Sequence, residues 1–280
     1  MVATVNKIIP FSIVDGPGNR TAIFLQGCNL NCLYCHNPET RAKCIHCGAC
    51  VSSCPTGALS LENKLLYYDP AKCAGCDTCI RVCPHDSSPK TADMTADEVW
   101  QAVQKQIPFI RGITVSGGEC TLYPEFLTEL FTMAQAHGLS TLIDSNGTLD
   151  FEHCPDLLAV TDGVMLDIKA FDCEEHKRVT GWDNRIVLKN ARFLASEGKL
   201  YEVRTVISPG LFDAERTIMQ TAVLLRPYLS IRPIRYKLIS YRPMGVRMQY
   251  ADTLQTPTGG QMDYYAGLLA DGGFKDIIIT

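Results

Sequence analysis

Eleven of the chain's 14 cysteines fall between Cys28 and Cys83, and no other feature narrows the fold of these 280 residues as much. Eight of them form an internal repeat. Cys44-x2-Cys47-x2-Cys50-x3-Cys54-Pro55 recurs as Cys73-x2-Cys76-x2-Cys79-x3-Cys83-Pro84. Between them lie only short apolar pieces, Ala58–Leu61 and Leu65–Tyr68. The N-terminus, M-V-A-T-V-N-K-I-I-P-F, has no charged start, long apolar stretch or small-residue cleavage site, so no secretory signal is expected. No apolar run reaches the ~18 residues of a membrane span, and a cytoplasmic protein is expected. In a reducing compartment this thiol density argues for metal rather than disulfides. The net charge of −4 advertises no basic face for nucleic acid. Cys120, Cys154 and Cys173 lie outside the block and read as small buried thiols.

The repeat has the spacing of bacterial two-cluster ferredoxins, where the fourth cysteine of each run serves the other cluster. That assigns Cys44, Cys47, Cys50 and Cys83 to one [4Fe–4S] cluster. Cys73, Cys76, Cys79 and Cys54 take the other. Two zinc sites built on Cys-x2-Cys pairs are the competing reading. The third evenly spaced cysteine in each run weighs against it.

After Thr91 the texture changes. Thr95-Ala-Asp-Glu98 reads as a capping box opening a helix, with Met94 as a staple. Strand-like runs at Thr21–Leu25, Gly112–Ser116, Ser140–Asp144, Gly163–Lys169, Tyr201–Ile207, Ile234–Ser240 and Ile277–Ile279 alternate with helical segments. Such alternation implies an α/β fold with a helix-covered parallel sheet. Polar motifs recur at strand ends: Ser116-Gly-Gly-Glu119, Asp144-Ser-Asn-Gly147, Asp167-Ile-Lys169 and Ser208-Pro-Gly210. Barrels build sites at strand C-termini, so a partial (β/α)6 TIM-like barrel is expected. Residues 1–38 and 90–280 would form it, and residues 39–89 an inserted 2[4Fe–4S] ferredoxin-like domain.

The remaining three cysteines, Cys28-x3-Cys32-x2-Cys35, lie in one tight loop. Three thiolates hold three irons of a cubane and leave the fourth open, as catalytic metal sites keep a vacancy. This spacing is found in radical S-adenosylmethionine (radical SAM) enzymes. Asp15-Gly-Pro-Gly-Asn-Arg20, Phe24-Leu-Gln-Gly-Cys28, His36-Asn37-Pro38, Ser116-Gly-Gly-Glu119, Val164-Met-Leu-Asp-Ile-Lys169 and Val203–Gly210 sharpen the likeness. Together they resemble the glycyl radical enzyme activating enzymes, the pyruvate formate-lyase activase group. With its ferredoxin insert the chain looks most like the YjjW-type activases.

The resemblance implies a radical SAM oxidoreductase with three [4Fe–4S] clusters. The amino and carboxylate groups of S-adenosylmethionine would chelate the open iron at the Cys28, Cys32, Cys35 cluster. One electron would cleave the sulfonium to methionine and a 5′-deoxyadenosyl radical. That radical would take a glycine Cα hydrogen from a partner enzyme, whose loop enters through the lateral opening of a partial barrel. Tyr34 and His36 would meet the adenine. Gly117 and Gly118, heading the Gly-Gly-Glu119 motif, would let backbone approach the methionine moiety. An ordinary strand-to-helix turn is the plainer account of the pair.

Asp144, Ser145, Met165 and Asp167 match a monovalent-cation site, with a salt bridge from Asp167 to Lys169 or Arg204 as the alternative. Lys169 and Arg204 would hold the cofactor carboxylate. Asp15 would meet the partner peptide, or Gly16–Gly18 would be a plain tight turn. Arg242 stands where the family often has a ribose-contacting histidine. The expected partners are a glycyl radical enzyme and a low-potential electron donor such as flavodoxin or ferredoxin, with no nucleic acid, no membrane and a monomeric chain. A radical SAM enzyme acting on a small molecule, or an iron–sulfur carrier without catalysis, are the competing readings. The carrier leaves the three-cysteine loop unexplained.

Overall fold

The computed structural model describes all residues, Met1–Thr280. Eleven strands are formed: β1 (Val2–Ser12), β2 (Arg20–Leu25), β3 (Leu59–Glu62), β4 (Leu65–Tyr68), β5 (Ala92–Thr95), β6 (Gly112–Gly117), β7 (Ser140–Ser145), β8 (Gly163–Asp167), β9 (Leu200–Ile207), β10 (Arg235–Ser240) and β11 (Asp276–Ile279). Nine make one sheet in the order β11-β10-β9-β8-β7-β6-β2-β1-β5. From β2 to β11 every pairing is parallel. These are the seven strands the alternation predicts. The fold is mixed α/β with a helix-covered parallel sheet, as expected.

Strand β1 is not visible in the sequence pattern. It pairs antiparallel with β2 and β5, and its register slips between Ile9 and Ser12, around Pro10. A proline cannot donate to a ladder and sits at such irregularities. No helix is long and apolar enough to cross a membrane.

Side chains alternate across each strand. One set, Ile23, Leu25, Ile113, Val115, Ile143, Val164, Leu166 and Val203, is fully buried in a cluster of 51 residues. The helices pack there. The helix Ala96–Gln104 opens with the expected capping box, Thr95 and Glu98 each closing on the other's backbone. The other set, Phe24, Ser116, Asp144, Asp167, Arg204, Val206 and Ile239, lines a single cavity. Phe24 on β2 and Ile239 on β10 are five strand spacings apart, about 24 Å in a flat sheet. Their meeting at one cavity requires the sheet to curl.

Below the cavity, the buried Arg20 guanidinium donates to Thr114 Oγ1 at 2.8 Å and to Ser140 Oγ at 2.9 Å. Thr114 Oγ1 donates to the Asp15 carbonyl at 2.5 Å, drawing the Asp15–Gly18 loop into the interior.

The cysteine-rich segment leaves after β2 and returns before β6. Its own sheet is the β3–β4 hairpin, in the two apolar pieces noted above. Its separate core holds 3 buried residues, Cys50, Leu59 and Cys79. So small a core cannot hold some fifty residues by burial alone. All 14 cysteines are free of disulfides.

Candidate active site

The cavity enclosed by the curled sheet measures about 1130 Å³ including its open mouth. Its wall carries Cys28, Cys32 and Cys35 together with Tyr34, His36, Gly117, Gly118, Asp144, Ser145, Asp167, Lys169, Arg204 and Asp15. Residues spread over 190 positions of sequence thus converge. Of the site residues the sequence suggests here, Glu119 and Met165 stand off the wall. Of the strand-end motifs, Ser208-Pro-Gly210 also stands off it. Ser208 is buried and donates to the Gln255 carbonyl at 3.0 Å.

The three-cysteine loop is pinned from two sides. The amides of Gly27 and Cys28 donate to the Thr40 and Arg41 carbonyls, both at 2.8 Å. The amides of Asn31 and Leu33 donate to Thr180 and Val179 at 2.8 and 3.0 Å. Those carbonyls belong to the last turn of the helix Cys173–Thr180, where no helical partner is available.

Burial, with the Glu119 charge added, pushes the Cys28 thiol up to about 12. Burial pushes Cys32 up to about 11 and raises Cys35 as well. Bare, these are inert thiols. A coordinated metal would deprotonate them.

Tyr34 Oη and His36 Nε2 are both buried and have no hydrogen-bond partner. Burial raises the Tyr34 phenol above its ordinary value and lowers the His36 imidazole, keeping both neutral. Two orphaned polar groups on one cavity wall are vacancies a ligand would fill. Arg242 is exposed and does not line the cavity.

The carboxylates are paired with cations. Lys169 Nζ donates to Asp167 Oδ2 at 2.8 Å and lies 5.7 Å from the Tyr34 ring centre. Arg204 Nη1 donates to Asp144 Oδ2 at 2.7 Å, and its Nε pairs with Glu202. Burial lowers Lys169, but Asp167 outweighs it and holds the ammonium well above its ordinary value. Burial raises Asp144 against the pull of Arg204. In the proposed cation set, Met165 Sδ faces Arg204 Nη2 at 3.0 Å and Ser145 Oγ donates to Glu119 at 2.9 Å. Of the two salt bridges expected as the alternative, Asp167–Lys169 is formed, whereas Arg204 pairs with Asp144 and Glu202 and not with Asp167.

Glu119 is buried beneath the wall. It accepts from Thr121 N at 3.0 Å, Thr121 Oγ1 at 2.5 Å, Ser145 Oγ at 2.9 Å and Asn146 N at 2.6 Å. Its carboxylate braces the ends of β6 and β7 instead of facing a ligand. The two glycines before it are demanded by the chain itself. A Cβ on Gly117, at φ +131, would sit 2.1 Å from the Leu25 carbonyl oxygen, and one on Gly118 2.3 Å from that of Gly27.

Sequence reasoning missed Asn146 and Arg247. Asn146 Nδ2 faces Cys28 Sγ at 3.8 Å and donates to Asn29 Oδ1 at 3.0 Å. Arg247 Nη2 donates to the Cys32 carbonyl at 2.8 Å. Asn146 lay inside a quoted motif, so its strand-end position was the available signal. Arg247 had none.

The cysteine repeat forms two hollows. Cys44, Cys47, Cys50 and Cys83 line one of about 320 Å³; Cys54, Cys73, Cys76 and Cys79 line another of about 300 Å³. No three His, Cys, Asp or Glu side chains converge on one point as a single metal ion requires. Cys120 is fully buried, whereas Cys154 and Cys173 are half-buried.

A parallel sheet whose strand ends carry a three-cysteine loop and an ionic wall defines a class. Residues 22–222 match the radical SAM superfamily model, and the chain belongs to that superfamily. Within it, the chain is a glycyl radical enzyme activating enzyme. It is 32% identical over 251 residues to the pyruvate formate-lyase-activating enzyme of Streptococcus mutans, covering 86% of this chain and 78% of that one. It is 31% identical over 306 positions to the indoleacetate decarboxylase activating enzyme of Tractidigestivibacter scatoligenes, covering 99% and 97%. Among solved structures, a domain of pyruvate-formate lyase-activating enzyme from Bacteroides vulgatus superposes with TM-score 0.51 at 24% identity, covering 60% of this chain and 98% of that one. A radical SAM methyltransferase from Sphaerobacter thermophilus does so with TM-score 0.56 at 13% identity, covering 93% and 66%. These two likenesses concern the fold.

Proposed function

We propose that the chain activates a partner glycyl radical enzyme from a [4Fe–4S] cluster held by Cys28, Cys32 and Cys35, with S-adenosylmethionine in the cavity beside it. The observation that carries this is the convergence on one wall of three thiols, two orphaned polar groups and a set of buried charges. When bound, the cluster and its cofactor supply one electron and an adenosyl radical able to take hydrogen from a glycine Cα. The protein's part is positioning and exclusion of water. Cys28, Cys32 and Cys35 supply three ligands and leave one corner open. Tyr34 Oη and His36 Nε2 supply hydrogen bonds at the adenine. Lys169 and Arg204 supply positive charge for a carboxylate, and Asp144 and Asp167 hold those cations in place. Asp15, on the same wall, faces the entering peptide.

The curled sheet serves as a partial (β/α)6 barrel over residues 1–38 and 90–280. Residues 39–89 serve as a ferredoxin-like insert with two clusters, one per hollow. Four thiolates on a zinc lie about 2.3 Å from it. Cysteines around an open hollow, with no such convergence, suit a cubane better. The insert relays electrons from a low-potential donor to the cavity.

The test is anaerobic reconstitution with iron and sulfide, then dithionite and S-adenosylmethionine. Release of 5′-deoxyadenosine, and a glycyl radical signal on the partner enzyme, are the expected results. Release of no 5′-deoxyadenosine from a chain carrying full iron would overturn the reading.

A further inference from the structure

Sharing the three-cysteine loop with the main cavity, a second hollow of about 390 Å³ is lined by Cys28, Cys32, Cys35, Arg41 and Arg247. Arg247 comes from the segment after β10 and reaches across to the loop. Its Nη2 donates to the Cys32 carbonyl at 2.8 Å and its Nη1 to Asn31 Oδ1 at 2.6 Å. The same Nη1 lies 3.3 Å from Asp86 Oδ2 in the cysteine-rich segment. Arg41 Nη2 binds that Asp86 oxygen too, at 2.9 Å. Two guanidinium groups therefore share one carboxylate and leave one positive charge in excess. Asp86 does not line the hollow; the arginines do. The Nε of each arginine is buried and without a partner.

The junction also has a direction. Asp86 lies three residues after Cys83, and Arg41 three residues before Cys44. Both cysteines line the same hollow of the insert. Ala42 and Ser87 form a bridge there, and the Ala42 amide donates to the Asp86 carbonyl at 3.1 Å. The charged contact thus connects the loop to the Cys44, Cys47, Cys50 and Cys83 set.

A planar guanidinium reaches three acceptors at once, which a lysine ammonium on one stem does not reproduce with the same geometry. Net charge near an iron–sulfur cluster is one of the terms that set its potential. Reduction adds a negative charge, which a neighbouring cation stabilises.

We propose that Arg247 is a positioning residue whose charge, shared with Arg41 across Asp86, raises the reduction potential of the cluster held by Cys28, Cys32 and Cys35 and so draws electrons toward it. This rests on the proposed three-cysteine cluster. The test is an electron paramagnetic resonance redox titration of the reconstituted full-length protein. The relevant signal is picked out by the change that S-adenosylmethionine makes in it.

Arg247→Gln and Arg41→Gln should shift that cluster's midpoint to more negative values. Asp86→Asn, which removes the counterion and keeps both arginines, should shift it the opposite way. Arg247→Lys should lie between Arg247→Gln and the parent. A residue that merely ordered the loop would move the potential in the same direction when either side of the contact is lost. Shifts of one sign, or no shift, therefore overturn the proposal. Should Arg247→Gln fail to retain iron, Arg41→Gln and Asp86→Asn still must move apart. If the parent itself shows no signal responsive to S-adenosylmethionine, it is the three-cysteine cluster that fails.

Discussion

The Glu119 carboxylate accepts the Asn146 backbone amide at 2.6 Å, and the Asn146 side chain in turn faces Cys28 Sγ at 3.8 Å. A brace beneath the cavity is thereby tied to the first cysteine of the loop. Glu119→Gln keeps an acceptor for Thr121 and Ser145 but presents an NH2 group to a backbone NH. The Asn146 N–H loses its acceptor and the new NH2 adds donors beside it, each unpaired buried donor costing about 1–3 kcal/mol. Chemical denaturation of the metal-free chain checks this. Isosteric Glu119→Gln should lower stability by at least that amount, with Asn146 and Cys28 the residues whose signals move.

Gly118 is wedged between the loop's own backbone and β2. Its amide donates to the Leu25 carbonyl at 2.9 Å, and an added methyl would meet the Gly27 carbonyl oxygen at 2.3 Å. Backbone cannot step aside as a flexible side chain does. Gly118→Ala should cost about 1–3 kcal/mol as overpacking and push the Cys28 side of the loop away. Iron bound per chain after reconstitution should fall at the Cys28–Cys35 site while the iron of the insert stays. Equal iron at all sites, with unchanged stability, would remove the case for this contact.

The buried and exposed thiols should separate with pH in the metal-free protein. Burial lifts Cys28 from 9.0 to about 12 and Cys32 to about 11. Hydrogen bonds lower Cys54, Cys73 and Cys76 below 9.0. The thiolate is the nucleophile. Iodoacetamide at pH 8 should therefore label Cys54, Cys73 and Cys76 first and leave Cys28, Cys32 and the insert's own buried Cys50 and Cys79, whose thiols burial also raises, largely unmodified, as mass spectrometry of the quenched protein would show.

The linked stability has a definite sign. A thiol raised in the folded chain holds its proton more tightly there than in the unfolded one. Its contribution is full below about 9 and is lost as pH climbs through about 11 and 12.

What the sequence made legible was what local spacing encodes. All seven parallel strands follow from alternation. The capping box at Thr95 and Glu98 is local chemistry, and three of the four strand-end motifs reach the cavity because parallel strands end on one side. The Asp167–Lys169 pair was visible only as an alternative and the pairing of Arg204 with Asp144 and Glu202 not at all, since sequence does not say which oxygen a cation will find.

Arg247 lies 215 positions from Cys32, and only the folded chain joins them. Glu119 stands in a motif that points to a ligand. Its direction is decided by Ser145, the last residue of the next strand, and by Asn146 just past it. Strand β1 carries Pro10 and no clean alternation, and is made a strand by pairing on both sides.

The crossed cysteine sets give the last prediction. Cys83 lies in the second run but shares a hollow with Cys44, Cys47 and Cys50, and Cys54 shares the other with Cys73, Cys76 and Cys79. A cubane that loses one thiolate becomes labile. Cys83→Ala should therefore erase the same spectroscopic signal as Cys47→Ala, though the two residues belong to different runs. Cys54→Ala should erase the one lost in Cys76→Ala. The reconstituted parent should carry about twelve iron ions, four per cubane. Each of the four variants should fall toward about eight while retaining the signal that responds to S-adenosylmethionine. With a relay in place, reduction of that remaining centre by a protein donor should slow in every variant, while reduction by dithionite stays near the parent rate. Variants that pair by run, Cys83→Ala with Cys76→Ala, would contradict the hollows seen here.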